Sequence, residues 1–401
     1  MASSRRVSIV ADEAIPFLKG VAEPWCDVTY LKGSEISRNS LTSADALLVR
    51  TRTLCNRSLL EGTPISYIAS ATIGYDHIDT EYCNTNGIGW SNAPGCNSGS
   101  VMQYMVAAIL HLSVKFGVEP GQLTMGIVGA GHVGSKVAAA ASALGMKVLI
   151  NDPPRQRREG SHQFTHLKKL LKEADMVSLH VPLTVTGSDS TFHLAGREFI
   201  ASMKRGSFLF NTSRGGVTSE EEVKRALWSG QLRGYIADVW DREPVADSEL
   251  IEMAAIATPH IAGYSADGKL NGTRIALQCV ADRFRLPLIL PPHGILPAPK
   301  NSLISPATSQ GTLTEFLSYI VMQTYDIAEE CRLFKSAPSQ FESFRNNYPL
   351  RREFGAFTVA SGTAAQYLTH DEANNEAVSN DDNSAVAIVR KLGFKTVNSV
   401  N

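Results

Sequence analysis

The sequence predicts an α/β protein with two doubly wound parallel sheets and a small α/β domain at its C-terminal end. Short apolar runs, many of them β-branched, alternate with helical patterns, which favours parallel strands joined by crossover helices. The chain has 401 residues, more than one hydrophobic core usually serves. A proline-rich linker at 286–299 then separates a last region of different composition.

Composition excludes several classes of protein. The chain is 43% apolar and 19% charged, with a formal net charge of −1, so nothing predicts binding to nucleic acid or a membrane surface. The longest nearly apolar run, 101–112, contains Gln103 and His111 and is too short to span a bilayer. No apolar segment follows the basic N-terminus, so no signal peptide is predicted. Six scattered cysteines, none in a Cys-x-x-Cys motif, predict reduced thiols, a cytoplasmic location and no metal site.

The predicted elements follow the chain in three groups. Strands of the first sheet are predicted at 7–11, 28–31, 46–49, 67–71 and 88–91. A helix over 100–112 follows, because Ser100 and Gln103 have the spacing of a capping box. Strands of the second sheet are predicted at 125–128, 147–151, 176–180, 207–211, 235–239 and 255–257. The last group has helices at 313–334 and 385–391, a strand at 356–360 and an acidic loop at 369–384.

A glycine-rich turn follows the strand at 125–128 and opens an amphipathic helix. Its six residues are Gly129, Ala130, Gly131, His132, Val133 and Gly134. In a Rossmann turn, the first glycine permits the bend, the second lets the backbone approach a pyrophosphate, and the third lets the helix pack on the strand. The N-terminus of the helix then offers N–H groups to the phosphates. The motif therefore predicts a dinucleotide site.

Asp152 decides which dinucleotide is predicted. It lies 18 residues beyond Gly134, at the end of the next strand, where an acid accepts hydrogen bonds from the adenosine ribose. A carboxylate there repels a 2′-phosphate, so the prediction is NAD rather than NADP. Arg155, Arg157 and Arg158 follow closely, and either a solvated basic loop or a 2′-phosphate clamp would fit them.

Three ionisable residues lie downstream of this turn, each where an apolar strand stops: Arg214, Glu243 and His260. Ligands of open α/β sheets bind outside the carboxyl ends of the strands. Oxidation of a 2-hydroxy acid needs a base for the hydroxyl proton and a cation for the carboxylate. Histidine suits the first role, with a glutamate to fix its tautomer, and arginine suits the second. The pattern predicts hydride transfer from a 2-hydroxy acid to NAD.

With these motifs the chain resembles the D-isomer-specific 2-hydroxyacid dehydrogenase family. The resemblance implies that Arg214 binds the substrate carboxylate, Glu243 orients the imidazole, and His260 is the acid/base. It also implies further contacts with the cofactor, from Val181, Thr212, Ser213, Asp238 and Gly263. Val181 stands where many members have a threonine.

Four more segments, 46–51, 71–79, 93–97 and 260–264, are similar to those of a family member that acts on a phosphorylated acid. The similarity implies substrate contacts from Thr51, Thr72 and Tyr264. Segments 341–354 and 391–394 resemble a dimerisation domain and imply a homodimer. The implied domains are a flavodoxin-like substrate domain at 1–95, completed by about 264–284, a Rossmann NAD domain at 96–263, and a dimerisation domain at 285–401.

The sequence is compatible with alternatives. The substrate could be another D-2-hydroxy acid, such as 3-phosphoglycerate or glycerate, because a fold does not specify a substrate. A protein of another class, an NAD-sensing corepressor, would keep the glycine turn without needing the relay of Arg214, Glu243 and His260. The cations that would bind a substrate phosphate are also open. Arg50, Arg52, Arg351 and Arg352 are candidates, with ordinary surface charge as the other interpretation.

Overall fold

A computed structural model describes residues 5–160, 162–305, 312–360 and 385–397. The chain forms two compact units. One comprises Met1–Asn97 with Ser265–Pro297, and the other comprises Ser98–Tyr264 with Ala298–Asn401. The predicted acidic loop at 369–384 lies outside the described residues.

The strands are numbered in chain order. They are β1 (Val7–Asp12), β2 (Cys26–Leu31), β3 (Ala46–Val49), β4 (Tyr67–Ser70), β5 (Gly89–Ser91), β6 (Thr124–Val128), β7 (Lys147–Asn151), β8 (Met176–Leu179), β9 (Ser207–Asn211), β10 (Leu232–Ala237), β11 (Ile256–Ala257), β12 (Leu303–Ile304), β13 (Thr358–Ala360) and β14 (Lys395–Val397). Each predicted strand is present, with ends shifted by at most three residues.

The α-helices are numbered in the same way. They are α1 (Arg57–Leu60), α2 (Thr80–Thr85), α3 (Ser98–Phe116), α4 (His132–Ala143), α5 (Pro153–Glu159), α6 (Leu167–Glu173), α7 (Arg197–Ser202), α8 (Glu220–Trp228), α9 (Ser248–Met253), α10 (Ala266–Phe284), α11 (Leu313–Met322), α12 (Ile327–Ser336), α13 (Phe341–Asn346) and α14 (Ala385–Lys391). Among the described residues, no helix has the length and apolar character needed to cross a membrane.

The first unit is built on a five-stranded sheet with the order β2-β1-β3-β4-β5, and its paired strands are parallel. This is the flavodoxin-like order. The helix α10 packs against one face, where Ala276, Leu277 and Val280 join the buried strand residues Ile9 and Leu48. The helix α10, which follows the second sheet in the sequence, thus completes the core of the first unit.

The second unit contains a six-stranded parallel sheet with the order β11-β10-β9-β8-β6-β7. The strand order reverses between β6 and β8, which is where doubly wound sheets bind nucleotides. Both the glycine turn after β6 and Val181 after β8 lie at this point. The predicted doubly wound α/β fold with a Rossmann sheet is confirmed.

The C-terminal elements belong to the second unit. Strands β12, β13 and β14 form a small parallel sheet. Phe316 and Ile320 of α11 share a buried cluster with Tyr104 and Ile109 of α3. The separate dimerisation domain at 285–401 stays a prediction, but the described elements after Ala298 share a core with the nucleotide-binding part of the chain.

Two predicted helix boundaries were wrong. The helix α3 begins at Ser98, and Ser100 is fully buried inside it, so Ser100 is not a cap. The single helix predicted over 313–334 is two helices, α11 and α12. The break occurs because the side chain of Asp326 accepts hydrogen bonds from the backbone N–H groups of Ala328 and Glu329, which starts a new helix.

Asp326→Ala should destabilise the second unit by about 1 kcal/mol, because two backbone N–H groups at the start of α12 lose their acceptor. Denaturant unfolding measures the change in the free energy of unfolding. Asp326→Asn is the matched control, since asparagine caps helices nearly as well. Equal stability of the alanine variant and the wild type would contradict this role.

Candidate active site

The glycine turn at 129–134 fits a dinucleotide because two of its glycines are required by packing. Gly129 has a φ of 89°, and a Cβ there would lie 2.7 Å from the carbonyl oxygen of His180 and from a side-chain carbon of Val181. A Cβ on Gly134 would lie 1.9 Å from the carbonyl oxygen of Gly129. Only glycine permits these approaches.

The second glycine of the turn has a different environment. A Cβ on Gly131 would meet no described atom within 4 Å, so this position borders open space at the N-terminus of α4. The exposed His132 and the half-buried Val133 begin that helix. The first N–H groups of a helix favour phosphate. The turn thus has the open backbone that a pyrophosphate requires.

Predicted cofactor contacts also lie at the end of β9. The Oγ1 of Thr212 is buried and has no hydrogen-bond partner among the described residues. The neighbouring hydroxyl of Ser213 donates to Oδ1 of Asn211 at 2.8 Å. A buried hydroxyl without a partner costs free energy, and a polar group of a bound cofactor would remove that cost. These residues fit NAD.

Asp152 links the turn to the next strand. Its Oδ2 accepts from the Ala130 N–H at 2.8 Å, and its Oδ1 accepts from the Arg155 N–H at 2.9 Å at the start of α5. The side chain of Arg155 pairs with Glu159 at 2.7 Å, and that of Arg157 pairs with Asp189. Both arginines thus have acidic partners, which disfavours a 2′-phosphate clamp.

The register of the second sheet aligns the ends of three strands. Asn211, Ala237 and Ala257 are neighbours at the ends of β9, β10 and β11. Arg214 follows its strand by three residues and His260 follows its strand by three. The structure therefore brings both residues to the carboxyl edge of one sheet, as the sequence predicts.

Gly215 determines how closely two of these loops approach. A Cβ at Gly215 would lie 2.0 Å from the carbonyl oxygen of Trp240 and 2.6 Å from the backbone nitrogen of Asp241. The loop that carries Arg214 therefore packs directly on the backbone of the loop that carries Glu243. The Nη1 of Arg214 donates to the Ser213 carbonyl at 2.8 Å, and this hydrogen bond holds the arginine side chain in part.

His260 and Glu243 form a hydrogen-bonded pair. The Nδ1 of His260 lies 2.7 Å from Oε2 of Glu243, and the Trp240 N–H donates to Oε1 of Glu243 at 3.0 Å. With Nδ1 engaged by the carboxylate, Nε2 is the ring nitrogen that can exchange a proton with substrate. The glutamate therefore fixes the orientation and tautomer of the histidine.

The pKa of Glu243 reflects this pairing. Burial acts to raise it, but the hydrogen bond and the charge of His260, the Trp240 N–H and the positive charge of Arg345 together lower it below its usual value. The side chain of Glu243 is 23% exposed, so these interactions are only partly screened by solvent. Glu243 thus remains a carboxylate over the range in which histidine titrates.

Asp238 holds the His260 loop, residues 258–262. It is 1% exposed and accepts hydrogen bonds from the Ile261 N–H at 2.8 Å, the Ala262 N–H at 2.9 Å and the Thr258 hydroxyl at 2.7 Å. Burial raises the pKa of Asp238, while the charge of His260 and these hydrogen bonds oppose the rise. Gly263 directly follows this loop. The carboxylate of Asp238 thus holds the loop through two backbone N–H groups and one side-chain hydroxyl.

Tyr264 contacts the C-terminal part of the second unit. Its ring meets that of Tyr348 edge to face at a centroid distance of 5.8 Å, and the guanidinium of Arg345 lies 5.7 Å from its ring centre. Arg345 is also the cation that helps to lower the pKa of Glu243. A predicted substrate residue and the predicted orienter therefore share one basic neighbour from α13.

The other two predicted substrate residues lie in the first unit, at the ends of neighbouring strands. Val49 of β3 pairs with Ser70 of β4, and Thr51 and Thr72 each follow two residues later. Thr51 is exposed. The hydroxyl of Thr72 donates to the Gly74 carbonyl at 3.0 Å and lies 2.8 Å from the Ser70 hydroxyl. Both threonines thus occupy the carboxyl edge of the first sheet, where ligands of such folds bind.

The structure changes the interpretation of Arg351, which the sequence offered as a phosphate ligand or a surface charge. It is 5% exposed, and its Nη2 donates to the carbonyl oxygens of Ile261 and Ala262 at 3.3 and 2.5 Å. Sequence reasoning missed this role because the partners lie about 90 residues apart. The sequence near Arg351 gives only weak evidence for this role, since the neighbouring aromatic residues are all that indicates a buried arginine.

Comparison with known proteins identifies the family. Residues 110–262 match the sequence profile described as "D-isomer specific 2-hydroxyacid dehydrogenase, NAD binding domain". A Bacteroides fragilis protein named erythronate-4-phosphate dehydrogenase is 45% identical over 357 residues, 88% of this chain and 99% of that one. A Pseudomonas aeruginosa protein of the same name is 37% identical over 372 residues, 89% of this chain and 96% of that one. The chain belongs to the D-isomer-specific 2-hydroxyacid dehydrogenase family.

Solved structures of other family members have the same fold. D-lactate dehydrogenase from Aquifex aeolicus, complexed with NAD and lactic acid, is 28% identical with a TM-score of 0.58, over 71% of this chain and 99% of that one. NAD-bound 3-phosphoglycerate dehydrogenase from Entamoeba histolytica is 26% identical with a TM-score of 0.57, over 72% and 99%. The protein is an NAD-dependent 2-hydroxyacid dehydrogenase, and the cofactor predicted from the sequence is confirmed.

Asp152→Asn should weaken NADH binding about tenfold and reduce the preference for NADH over NADPH, because it removes the charge that repels a 2′-phosphate. Fluorescence titration with both nucleotides measures the two dissociation constants. Asp282→Asn, an exposed position on α10, removes the same charge elsewhere. An unchanged ratio of the two constants would exclude Asp152 from ribose recognition.

Glu243→Gln should lower stability by about 1–2 kcal/mol near neutral pH. A carboxylate whose pKa is lowered on folding stabilises the folded state above its unfolded pKa, near 4.5, and this contribution is lost as the pH falls through the folded value. The stability difference between wild type and variant should therefore shrink below about pH 5. Denaturant unfolding across pH 3–8 measures this stability difference, and Glu252→Gln, at an exposed position, is the control. A difference that does not change with pH would contradict the pairing of Glu243 with His260.

Proposed function

We propose that this enzyme oxidises 4-phospho-D-erythronate to (R)-3-hydroxy-2-oxo-4-phosphonooxybutanoate, a step of pyridoxal 5′-phosphate (vitamin B6) biosynthesis. The observation that carries the chemistry is the His260–Glu243 pair, at the carboxyl edge of the sheet that also carries the glycine turn and Arg214. The substrate assignment rests on the relatives named erythronate-4-phosphate dehydrogenase, whose length the chain matches almost completely.

The residues of the chain divide the work of the reaction. The guanidinium of Arg214 binds the substrate carboxylate and polarises the C2 oxygen as a carbonyl forms. The Nε2 of His260 takes the proton of the C2 hydroxyl, and Glu243 stabilises the imidazolium that results. NAD, when bound, accepts the hydride that leaves C2. The products are a 2-oxo acid, NADH and a proton, so atoms and electrons balance.

The binding roles of the other residues are part of the same proposal. Thr51, Thr72 and Tyr264 contact the substrate. The cofactor contacts are Gly129, Gly131, His132, Val133, Gly134, Asp152, Val181, Thr212, Ser213, Asp238 and Gly263. The packing of Gly129 and Gly134, the open space at Gly131 and the buried hydroxyl of Thr212 support this assignment. For Asp238, the observed hydrogen bonds to Ile261 and Ala262 add a loop-anchoring role.

A homodimer in the cytoplasm completes the proposal. The similarity of segments 341–354 and 391–394 to a dimerisation domain supports the assembly. The cytoplasmic location is supported by the cysteines, all six of which lie in described residues, where none forms a disulfide.

His260→Asn should lower turnover by about two to four orders of magnitude, the usual contribution of a general acid/base. Asparagine is preferred to alanine because residue 260 has a φ of 59°, which asparagine tolerates. NADH absorbance with 4-phospho-D-erythronate, D-3-phosphoglycerate and D-glycerate measures the effect for each acid. A near-normal rate in the variant would contradict the role of His260.

The same wild-type measurements test the substrate. Preference for phosphoerythronate supports the proposed step, whereas preference for another acid keeps the mechanism and replaces the substrate. Tight binding of NADH without oxidation of any of the three acids would favour the NAD-sensing alternative.

A further inference from the structure

The His260 loop is held on two sides by buried charges. On one side, the carboxylate of Asp238 accepts from the N–H groups of Ile261 and Ala262. On the other, the guanidinium of Arg351 donates to the carbonyl oxygens of the same two residues. Every backbone polar group of these two residues therefore has a charged partner. Hydrogen bonds to charged groups are about twice as strong as neutral ones.

Arg351 is held in place by aromatic rings and an acid. Its guanidinium carbon lies 4.5 Å from the ring centre of Tyr325 and 5.8 Å from that of Tyr348. The hydroxyl of Tyr348 donates to Oε1 of Glu330 at 3.0 Å. Burial raises the pKa of Glu330, while the positive charge of Arg351 acts to lower it. A buried guanidinium is costly unless its surroundings compensate, and the two rings and the charge of Glu330 offset part of that cost. Only Nη2 of Arg351 has a hydrogen-bond partner among the described residues, since its Nε and Nη1 are buried without one.

The segment that contains Arg351 is also fixed along its length. The side chain of Gln103 in α3 donates to the Arg352 carbonyl at 3.0 Å. A Cβ on Gly99 would lie 2.0 Å from the carboxylate of Glu353, and Phe354 stacks on Phe394 with ring centres 4.4 Å apart. The position of the guanidinium is therefore set by packing within the second unit rather than by the His260 loop alone.

The His260 loop needs such support because its backbone is in an unfavourable conformation. A φ of 59° at His260 is in the left-handed region, which costs a residue with a side chain about 1–2 kcal/mol. If the loop relaxed, Nδ1 would move away from Glu243 and Nε2 would lose its position. A displacement of about 1 Å at a reacting group can cost a hundredfold in rate.

We propose that Arg351 is a positioning residue for proton transfer, which acts with Asp238 to hold the His260 loop in its catalytic conformation. This inference rests on the proposed role of His260 as the acid/base. It assigns a task in the chemistry to the C-terminal part of the chain, beyond any task in assembly. Arg351 touches neither reacting group in this assignment and acts through the backbone of Ile261 and Ala262.

The first test is Arg351→Met, which keeps an unbranched side chain but removes the charge and the donors. Turnover should fall about 10- to 100-fold, while the KM for the 2-hydroxy acid changes less than about threefold and NADH binding is unchanged. Arg332→Met on α12 is the matched control, because Arg332 is 65% exposed and pairs with Glu329 on the surface. An unchanged turnover number in Arg351→Met would overturn the proposal.

A double-mutant cycle with His260→Asn separates positioning from general damage to the fold. Without the imidazole there is no ring to position, so Arg351→Met should reduce the residual rate of the His260→Asn enzyme by less than about threefold. A merely structural role would reduce the rate by the same factor in both backgrounds. Equal factors would therefore overturn the proposal.

Arg351→Lys keeps the test decisive if Arg351→Met fails to fold by circular dichroism. Lysine retains the charge and donors, so if both variants fold, the turnover of Arg351→Lys should lie at least about tenfold above that of Arg351→Met. If only the lysine variant folds, it should show the same non-additivity with His260→Asn. Additive losses would overturn the proposal. Failure of the proposed function is distinct, because the wild type itself would then prefer another acid to phosphoerythronate or oxidise none of the three.

Discussion

The site depends on the buried carboxylate of Asp238 and the loop it holds. This group turns the chain after β11 so that residue 260 takes a left-handed conformation and its imidazole meets Glu243. The free energy stored in that backbone is small beside the cost of leaving an unpaired carboxylate in the core. The loop and the acid therefore stabilise each other.

The cofactor half of the site is determined by backbone packing rather than by charge. Gly129 and Gly134 permit contacts between main-chain atoms that no larger residue could make, and these contacts set the direction of α4. Asp152 then joins the turn to the start of α5 through two backbone N–H groups. The turn proposed to bind the dinucleotide is thus already formed by interactions within the protein.

Features with local signals could be predicted from the sequence. The strands and the glycine turn follow from patterns a few residues long, and the positions of Arg214, Glu243 and His260 follow from the rule that parallel strands end at one edge. The interruption before α12 could not be distinguished from a continuous helix, because an aspartate inside an amphipathic pattern is compatible with both. The hydrogen bonds of Arg351 could not be predicted, because they join segments about 90 residues apart.

Gly215 has a consequence for how this sequence can diverge. Its hydrogen atom occupies the place where a methyl group would overlap the Trp240 carbonyl, so any larger residue at position 215 would force apart the loops that carry Arg214 and Glu243. Substitution of Gly215 is therefore acceptable only if the two loops separate, whatever acid the enzyme oxidises. New substrate preferences should therefore arise by change outside this contact, at positions such as Thr51 and Thr72, the proposed substrate contacts on the sheet of the first unit.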